Sequence, residues 1–147
     1  TNLAVFFAII AITNRIGSDL ITDLAGMGQR APFLALVLTI GLISLTGIPP
    51  TVGFIAKIFV FSAAIKADLA WLVLVGVLNS VVSAYYYLRI VRMMYLGQGN
   101  SDEPVPAEPS LKWAMGIAGV GVILIGVWPH PVISIAERAQ QMLIMTP

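Results

Sequence analysis

The run Leu42-Ile43-Ser44-Leu45-Thr46-Gly47-Ile48-Pro49-Pro50-Thr51-Val52-Gly53-Phe54-Ile55-Ala56-Lys57 decides how this chain folds. It sets a helix-breaking segment, Gly47-Ile48-Pro49-Pro50, shortly before a lysine. Lys57 is the only charge in the thirty-five residues from position 31 to position 65, and the rest of that stretch is apolar enough to lie in a membrane. A charge in a bilayer costs roughly 2.5–3.5 kcal/mol on insertion scales, so it marks an ion pathway or a structural pair. A broken helix beside such a charge is the membrane form of an ion site.

Composition sets the class. Of 147 residues, 59% are hydrophobic and 10% charged, and the mean hydropathy is +0.94. Soluble domains carry about 25% charged residues. The chain therefore reads as an all-α, polytopic transmembrane helix bundle. Its formal net charge is +1 with no basic cluster, so no nucleic-acid partner is expected, whereas lipid is. There is no cysteine and one histidine. That excludes disulfides, thiolate-held iron–sulfur clusters and thiol chemistry from this chain, and no metal site is expected.

The chain opens at Thr1 with neither a start methionine nor a basic n-region, which does not resemble a signal peptide. Its apolar opening of about twelve residues is too short to span a bilayer, which takes about twenty. Residues 1–12 are thus expected to be the end of a cut helix within a membrane-domain fragment covering 1–147.

Residues 13–30 read as a polar connection carrying Arg15, Asp19, Asp23 and Arg30, with a short surface turn of helix over 19–25. Pro32 sits where a proline favours a helix start, and the broken segment runs over 31–66. Lys66-Ala67-Asp68 is a polar turn. A long span follows over 69–96, closed by Arg89 and Arg92. Residues 97–110, with two glycines, three prolines and three acids, read as an exposed loop. A last span covers 111–128, ended by Pro129-His130-Pro131. Residues 131–145, apolar at 132, 133, 135, 136, 139, 142 and 143 with Glu137, Arg138, Gln140 and Gln141 between, read as an amphipathic tail at the membrane interface.

Two arrangements of residues 32–66 compete. As a hairpin turning at Pro49-Pro50, the two helical pieces are about 25 Å each, short for a hydrocarbon core of about 30 Å. As one broken span, they reach up to about 50 Å and need tilt or protruding ends. Loop charge separates them. The hairpin sets Arg15, Arg30, Lys66 and Arg138 against Arg89, Arg92 and Lys112, which orients nothing. The broken span groups Arg15, Arg30, Arg89, Arg92 and Lys112 against Lys66 and Arg138, in better accord with the positive-inside rule. The broken span is preferred, with the loops at 13–30 and 97–110 cytoplasmic.

Pro49 and Pro50 lack backbone N–H groups, so the carbonyls of Leu45 and Thr46 lose their helical donors. In a bilayer such groups need water, a side chain or a neighbouring helix. Thr46 and Thr51 are expected to supply hydroxyls, and Gly47 and Gly53 to leave space. Helical side chains lean toward the N-terminus, so Lys57 is expected to reach back over Gly53 toward the break, into a small hydratable pocket in an apolar wall. No acid lies beside it in this stretch. Either Lys57 pairs with a group outside the chain or it is often neutral, and a lysine tuned to lose its proton can relay one. The plain alternative is a lysine that snorkels to the interface or forms a static pair.

Other features carry bland readings. Tyr85-Tyr86-Tyr87 with Arg89 and Arg92 reads as an interfacial aromatic belt. Gly76, Ser80 and Ala84 form a row of small residues suited to helix packing. Trp128 reads as an interfacial anchor, His130 as a solvated side chain, and Asp19 with Asp23 as part of a solvated loop.

On these residues the chain resembles the C-terminal part of the subunit N (subunit 2) family of proton-pumping NADH:quinone oxidoreductase, respiratory complex I. The quoted run matches the wider antiporter-like superfamily. Asn79-Ser80-Val81-Val82-Ser83-Ala84-Tyr85-Tyr86-Tyr87-Leu88-Arg89 and Gly126-Val127-Trp128-Pro129-His130-Pro131 resemble subunit N more specifically. The likeness covers nearly the whole chain and about the last third of a fourteen-helix fold. It implies a discontinuous helix 12 whose lysine lies on a proton path, at the position of Lys57, flanked by helices 11, 13 and 14. The family often has glycine just before this lysine, where this chain has Ala56.

The resemblance implies a proton-translocating, antiporter-like membrane subunit of a redox-driven complex. Lys57 would be the proton relay, with Pro49, Pro50, Gly53, Thr46 and Thr51 supporting the break and its pocket. It implies no cofactor in this chain, with flavin, iron–sulfur clusters and quinone in other subunits. The implied partners are other membrane subunits of the complex, both antiporter-like and small ones. The implied location is an energy-transducing membrane, such as the bacterial inner membrane. Rival readings are a stand-alone cation/proton antiporter, a membrane-bound hydrogenase subunit, and a structural subunit with an inert Lys57.

Overall fold

The computed structural model describes residues 1–18, 20–99, 104 and 108–136. Among these residues every regular element is helical. Asp19 and half of the 97–110 loop lie outside them, as do residues 137–145 of the expected tail.

Helix α1 (Asn2–Ile16) ends at Gly17, whose φ of 69° is left-handed and whose N–H bonds the Thr13 carbonyl. The helix thus runs four residues beyond the expected end at position 12. Asn14 and Arg15 point outward, while Ile16 still packs on the core, so polarity there marks an exposed turn and not a terminus. The following connection is less of a loop than its composition suggests. It holds a 3-10 turn (Ile21–Leu24) and the single-turn helix α2 (Met27–Arg30). Buried Met27 pulls α2 into the bundle.

Helix α3 (Pro32–Thr46) starts on a proline at its first positions, and α4 (Val52–Lys66) follows the break. Asp68 turns the chain at φ 57° into α5 (Ala70–Leu96). Helix α6 (Pro109–Val127) is followed by further helical residues over 130–136. By length and composition, α5 and α6 are long and apolar enough to cross a membrane. With 15 residues each, α3 and α4 are only about 22 Å long by helical rise.

The partners along α5 show how α3 and α4 are arranged. Near the chain's entry to α3, Gly28 abuts Tyr95 at the end of α5. Beyond the break, Lys57 meets Ser80 and Phe61 meets Gly76. Partners on α5 thus move steadily backward from 95 to 76 as the chain passes from α2 through α4. A hairpin would reverse that direction at the prolines. Helices α3 and α4 instead lie end to end along one antiparallel α5. Helix α6 runs beside them in the same direction as α3, from Gly116 near Phe33 to Gly126 against Pro50 and Thr51.

The core lies on one side of this column. Ala4, Val5, Ala8, Ala11 and Ile12 of α1 pack on Leu34, Ala35, Val37, Leu38 and Leu42 of α3, with Met27, Met94 and Met115 closing one end. Small residues on α1 let the backbones approach, which is how helices associate where lipid removes the hydrophobic drive. Helix α4 buries nothing fully and α5 only Met94, leaving Trp71, Leu74, Leu78, Val82 and Tyr85 on an outward apolar face.

Candidate functional site

The break is built by backbone chemistry. Gly47 adopts φ 87°, and its N–H bonds the carbonyls of Ile43 and Ser44, while the Ile48 N–H reaches the Ile43 carbonyl. This is a Schellman C-cap, a conformation that favours glycine. The Thr46 carbonyl would take the N–H of residue 50 in a continued helix, but residue 50 is proline. Pro49 and Pro50 themselves are exposed.

Lys57 meets that carbonyl. Its Nζ donates to Thr46 O at 2.6 Å and to Ser80 Oγ at 3.0 Å. The stem folds back against Gly47, where a Cβ would lie 2.7 Å from Lys57 Cδ. The C-terminus of α3 carries partial negative charge, which favours a cation there. Lys57 is half-buried, and among the described residues no carboxylate meets it.

A second bond crosses the break in the opposite sense. Buried Ser44 Oγ accepts the Gly53 N–H at 3.1 Å, satisfying one of the free donors at the start of α4. Ser44 Oγ also pairs with Thr1 Oγ1 at 2.9 Å, tying α1 to the break. Each half-helix therefore caps the other: α3 lends a hydroxyl to α4, and α4 lends an ammonium to α3.

Lys57 opens on a cavity of about 390 Å³ between the break, α4 and α5. Thr46, Gly47, Lys57 and Ser80 line it together with apolar Phe54, Ile58, Phe61 and Val81. The arrangement is a single amine held by oxygen acceptors at the edge of an apolar space large enough for water. An amine so placed can give or take a proton without a covalent step.

The expected site residues are brought together only in part. Lys57 and Thr46 share the cavity; Pro49, Pro50, Thr51 and Gly53 do not line it. Thr46 contributes its carbonyl, not its hydroxyl. Thr46 Oγ1 donates back to Leu42 O at 2.9 Å and Thr51 Oγ1 to Ile48 O at 2.7 Å, a local bond open to threonine at a helix end. Lys57 does reach backward, but over Gly47. The space at Gly53 is filled by the Ser44 carbonyl, into which a Cβ there would run.

Two polar contributors escaped the sequence, Ser44 and Ser80. Ser80 sits in the middle of the Gly76/Ser80/Ala84 row, and the row faces the cavity and α4. A hydroxyl at the centre of a small-residue row was the available signal. Tyr85 and Tyr86, by contrast, are exposed and pack edge to face on each other at 5.6 Å.

The family model described as NADH:quinone oxidoreductase/Mrp antiporter, transmembrane, matches residues 1–83. The chain is similar to NADH-quinone oxidoreductase subunit N of Dehalococcoides mccartyi, 41% identical over 144 residues, covering 98% of this chain and 30% of that protein. Among solved structures it is similar to a chain of the membrane-bound sulfane sulfur reductase, an archaeal respiratory membrane complex. That match has a TM-score of 0.84 at 32% identity, over 92% of this chain and 28% of the other. It is also similar to a chain of respiratory complex I from Thermus thermophilus, with a TM-score of 0.74 at 26% identity, over 90% and 32% respectively. The chain thus spans roughly a third or less of the length of these relatives.

Proposed function

The chain belongs to the NADH:quinone oxidoreductase/Mrp antiporter transmembrane family, and from that premise we propose that it is the C-terminal part of a subunit N, a proton-translocating membrane subunit of a redox-driven NADH:quinone oxidoreductase. Similarity across 98% of the chain to a subunit N supports that reading over a stand-alone antiporter or a membrane-bound hydrogenase subunit.

The observation that carries the proton role is the setting of Lys57. A protonated lysine has three N–H donors. Thr46 O and Ser80 Oγ take two, which leaves one for whatever enters the cavity. Lys57 takes up a proton and passes it on through that position. Pro49, Pro50 and Gly53 keep the helix open, so that the Thr46 carbonyl remains available to the amine. Coupling to the redox reaction is electrostatic, because charge moved onto one site changes the proton affinity of its neighbours.

The rest of the reading follows from this assignment. Flavin, iron–sulfur and quinone chemistry belong to other subunits, and this chain contributes translocation. Its partners are neighbouring membrane subunits, antiporter-like and small. The membrane is a bacterial inner membrane, with the end of α1 and the starts of α3 and α6 on the cytoplasmic side and residues 130–136 at the opposite interface.

Lys57→Ala in the full-length subunit, assembled in its complex and assayed in sealed vesicles for quinone reduction and proton pumping, tests the proposal. Pumping is expected to fall with assembly intact. Unchanged pumping in an assembled complex rejects the relay, and failure to assemble favours a structural lysine. A native protein that purifies alone, without redox subunits, rejects the assignment to the complex.

A further inference from the structure

Ser80 is the contact of Lys57 supplied by a neighbouring helix. It lies on α5, 23 residues from the lysine, and no local pattern connects the two. Its hydroxyl accepts from Lys57 Nζ at 3.0 Å and donates to the Gly76 carbonyl at 2.8 Å. The helices come close here because Gly76, one turn earlier, has no side chain. A Cβ there would stand 2.9 Å from the Phe61 ring. Ala84, one turn later, completes the small row along the cavity wall.

The two partners of Lys57 differ in kind. A carbonyl only accepts hydrogen bonds, so Thr46 O serves an N–H in either charge state. A hydroxyl accepts and donates. With the lysine protonated, Ser80 Oγ accepts from the ammonium and points its hydrogen at Gly76 O, as observed. When the ammonium loses a proton through the cavity, the amine keeps two N–H bonds and gains a lone pair. The amine rotates about its Cε–Nζ bond so that one N–H stays on Thr46 O, the other faces the cavity and the lone pair faces Ser80, and a turn of the Ser80 hydroxyl directs its hydrogen at that lone pair. The Gly76 carbonyl keeps the main-chain N–H that the regular helix supplies. No proton leaves the serine; only the direction of one hydrogen bond reverses.

Resting on the reading of Lys57 as a proton carrier, we infer that Ser80 is its positioning residue, a reversible hydrogen-bond partner that holds Nζ at the mouth of the cavity in both charge states. Without it, the neutral amine keeps only the Thr46 carbonyl, and the long side chain is free to leave the break between proton transfers.

The test compares Ser80→Thr with Ser80→Val in the full-length subunit within its complex. The two side chains have nearly the same shape and differ in the hydroxyl. Proton pumping, quinone reduction and the pH dependence of pumping are measured in sealed vesicles, with Lys57→Ala beside them. The rate of proton pumping is expected to drop about tenfold in the valine variant, the scale of one hydrogen bond to a charged group. The threonine variant is expected to stay within about twofold of wild type on the same scale. The pH profile should move in the valine variant and stay in place with threonine. Equal behaviour of the two, whether both pump or both fail, overturns the role of the hydroxyl. Should valine prevent assembly, Ser80→Ala replaces it, and wild-type pumping by alanine overturns the inference. If Lys57→Ala also pumps normally, the relay itself is rejected. If only the lysine variant fails, the relay stands and Ser80 has no part in it.

Discussion

Lys57 Nζ stands 2.6 Å from the carbonyl oxygen of Thr46, eleven residues earlier and on the other side of the helix break. The same break is crossed in reverse by Ser44 Oγ, which accepts the Gly53 N–H. The charge is thereby part of the architecture of the interruption, and the interruption is what gives the charge an acceptor.

Lys57→Met is expected to remove pumping while changing thermal stability little. The substitution leaves one carbonyl uncapped but also relieves the desolvation of a charge in an apolar wall, so the net change should stay within about 1 kcal/mol. Thermal unfolding of the purified complex checks this. A much larger loss would point to a lysine that serves structure.

Gly53→Ala should damage the break directly. Its Cβ would run into the Ser44 carbonyl group, which is backbone and cannot swing aside. Overpacking of this kind costs about 1–3 kcal/mol, read as a lower melting temperature and less assembled complex. Gly121→Ala is the control, since a Cβ there meets nothing within 4 Å, and it should assemble normally.

Gly47→Ala combines two effects. An alanine at φ 87° pays a left-handed penalty of about 1–2 kcal/mol. Its methyl also displaces the lysine stem, 2.7 Å away. Pumping should therefore fall further than stability does. Parallel vesicle assays and melting curves separate the two, and equal losses would show that the lysine had not moved.

Ser44→Ala withdraws the acceptor from the Gly53 N–H and leaves Thr1 without its hydroxyl partner. An unsatisfied buried donor costs about 1–3 kcal/mol. The start of α4 should loosen, seen as faster amide hydrogen exchange at residues 52–54. Unchanged exchange would mean that water replaces the serine at no cost.

The membrane class, the helices and the position of the break are set by short-range properties of the chain. Continuous apolar runs must bury backbone polar groups in helices, and two prolines after a glycine end a helix wherever they fall. The break and its lysine were therefore legible. Helix ends were less so. Asn14 and Arg15 look like a loop, yet α1 continues through them, because an exposed turn tolerates polarity and Gly17 supplies the stop. Thr46 and Thr51 look like the polar lining of the gap, yet their hydroxyls satisfy carbonyls three and four residues back. A local partner wins when it is always within reach.

The sequence by itself determined that this chain has a broken apolar segment with one charge just past the break, because proline chemistry and the cost of a buried charge act over a few residues. Only the tertiary structure decided that α3 and α4 lie end to end along α5, that Lys57 caps Thr46, and that Ser44 and Ser80 complete the site. Those pairings join residues 9, 11 and 23 positions apart. They depend on which helix faces the gap, and that is fixed by the packing of whole helices against one another.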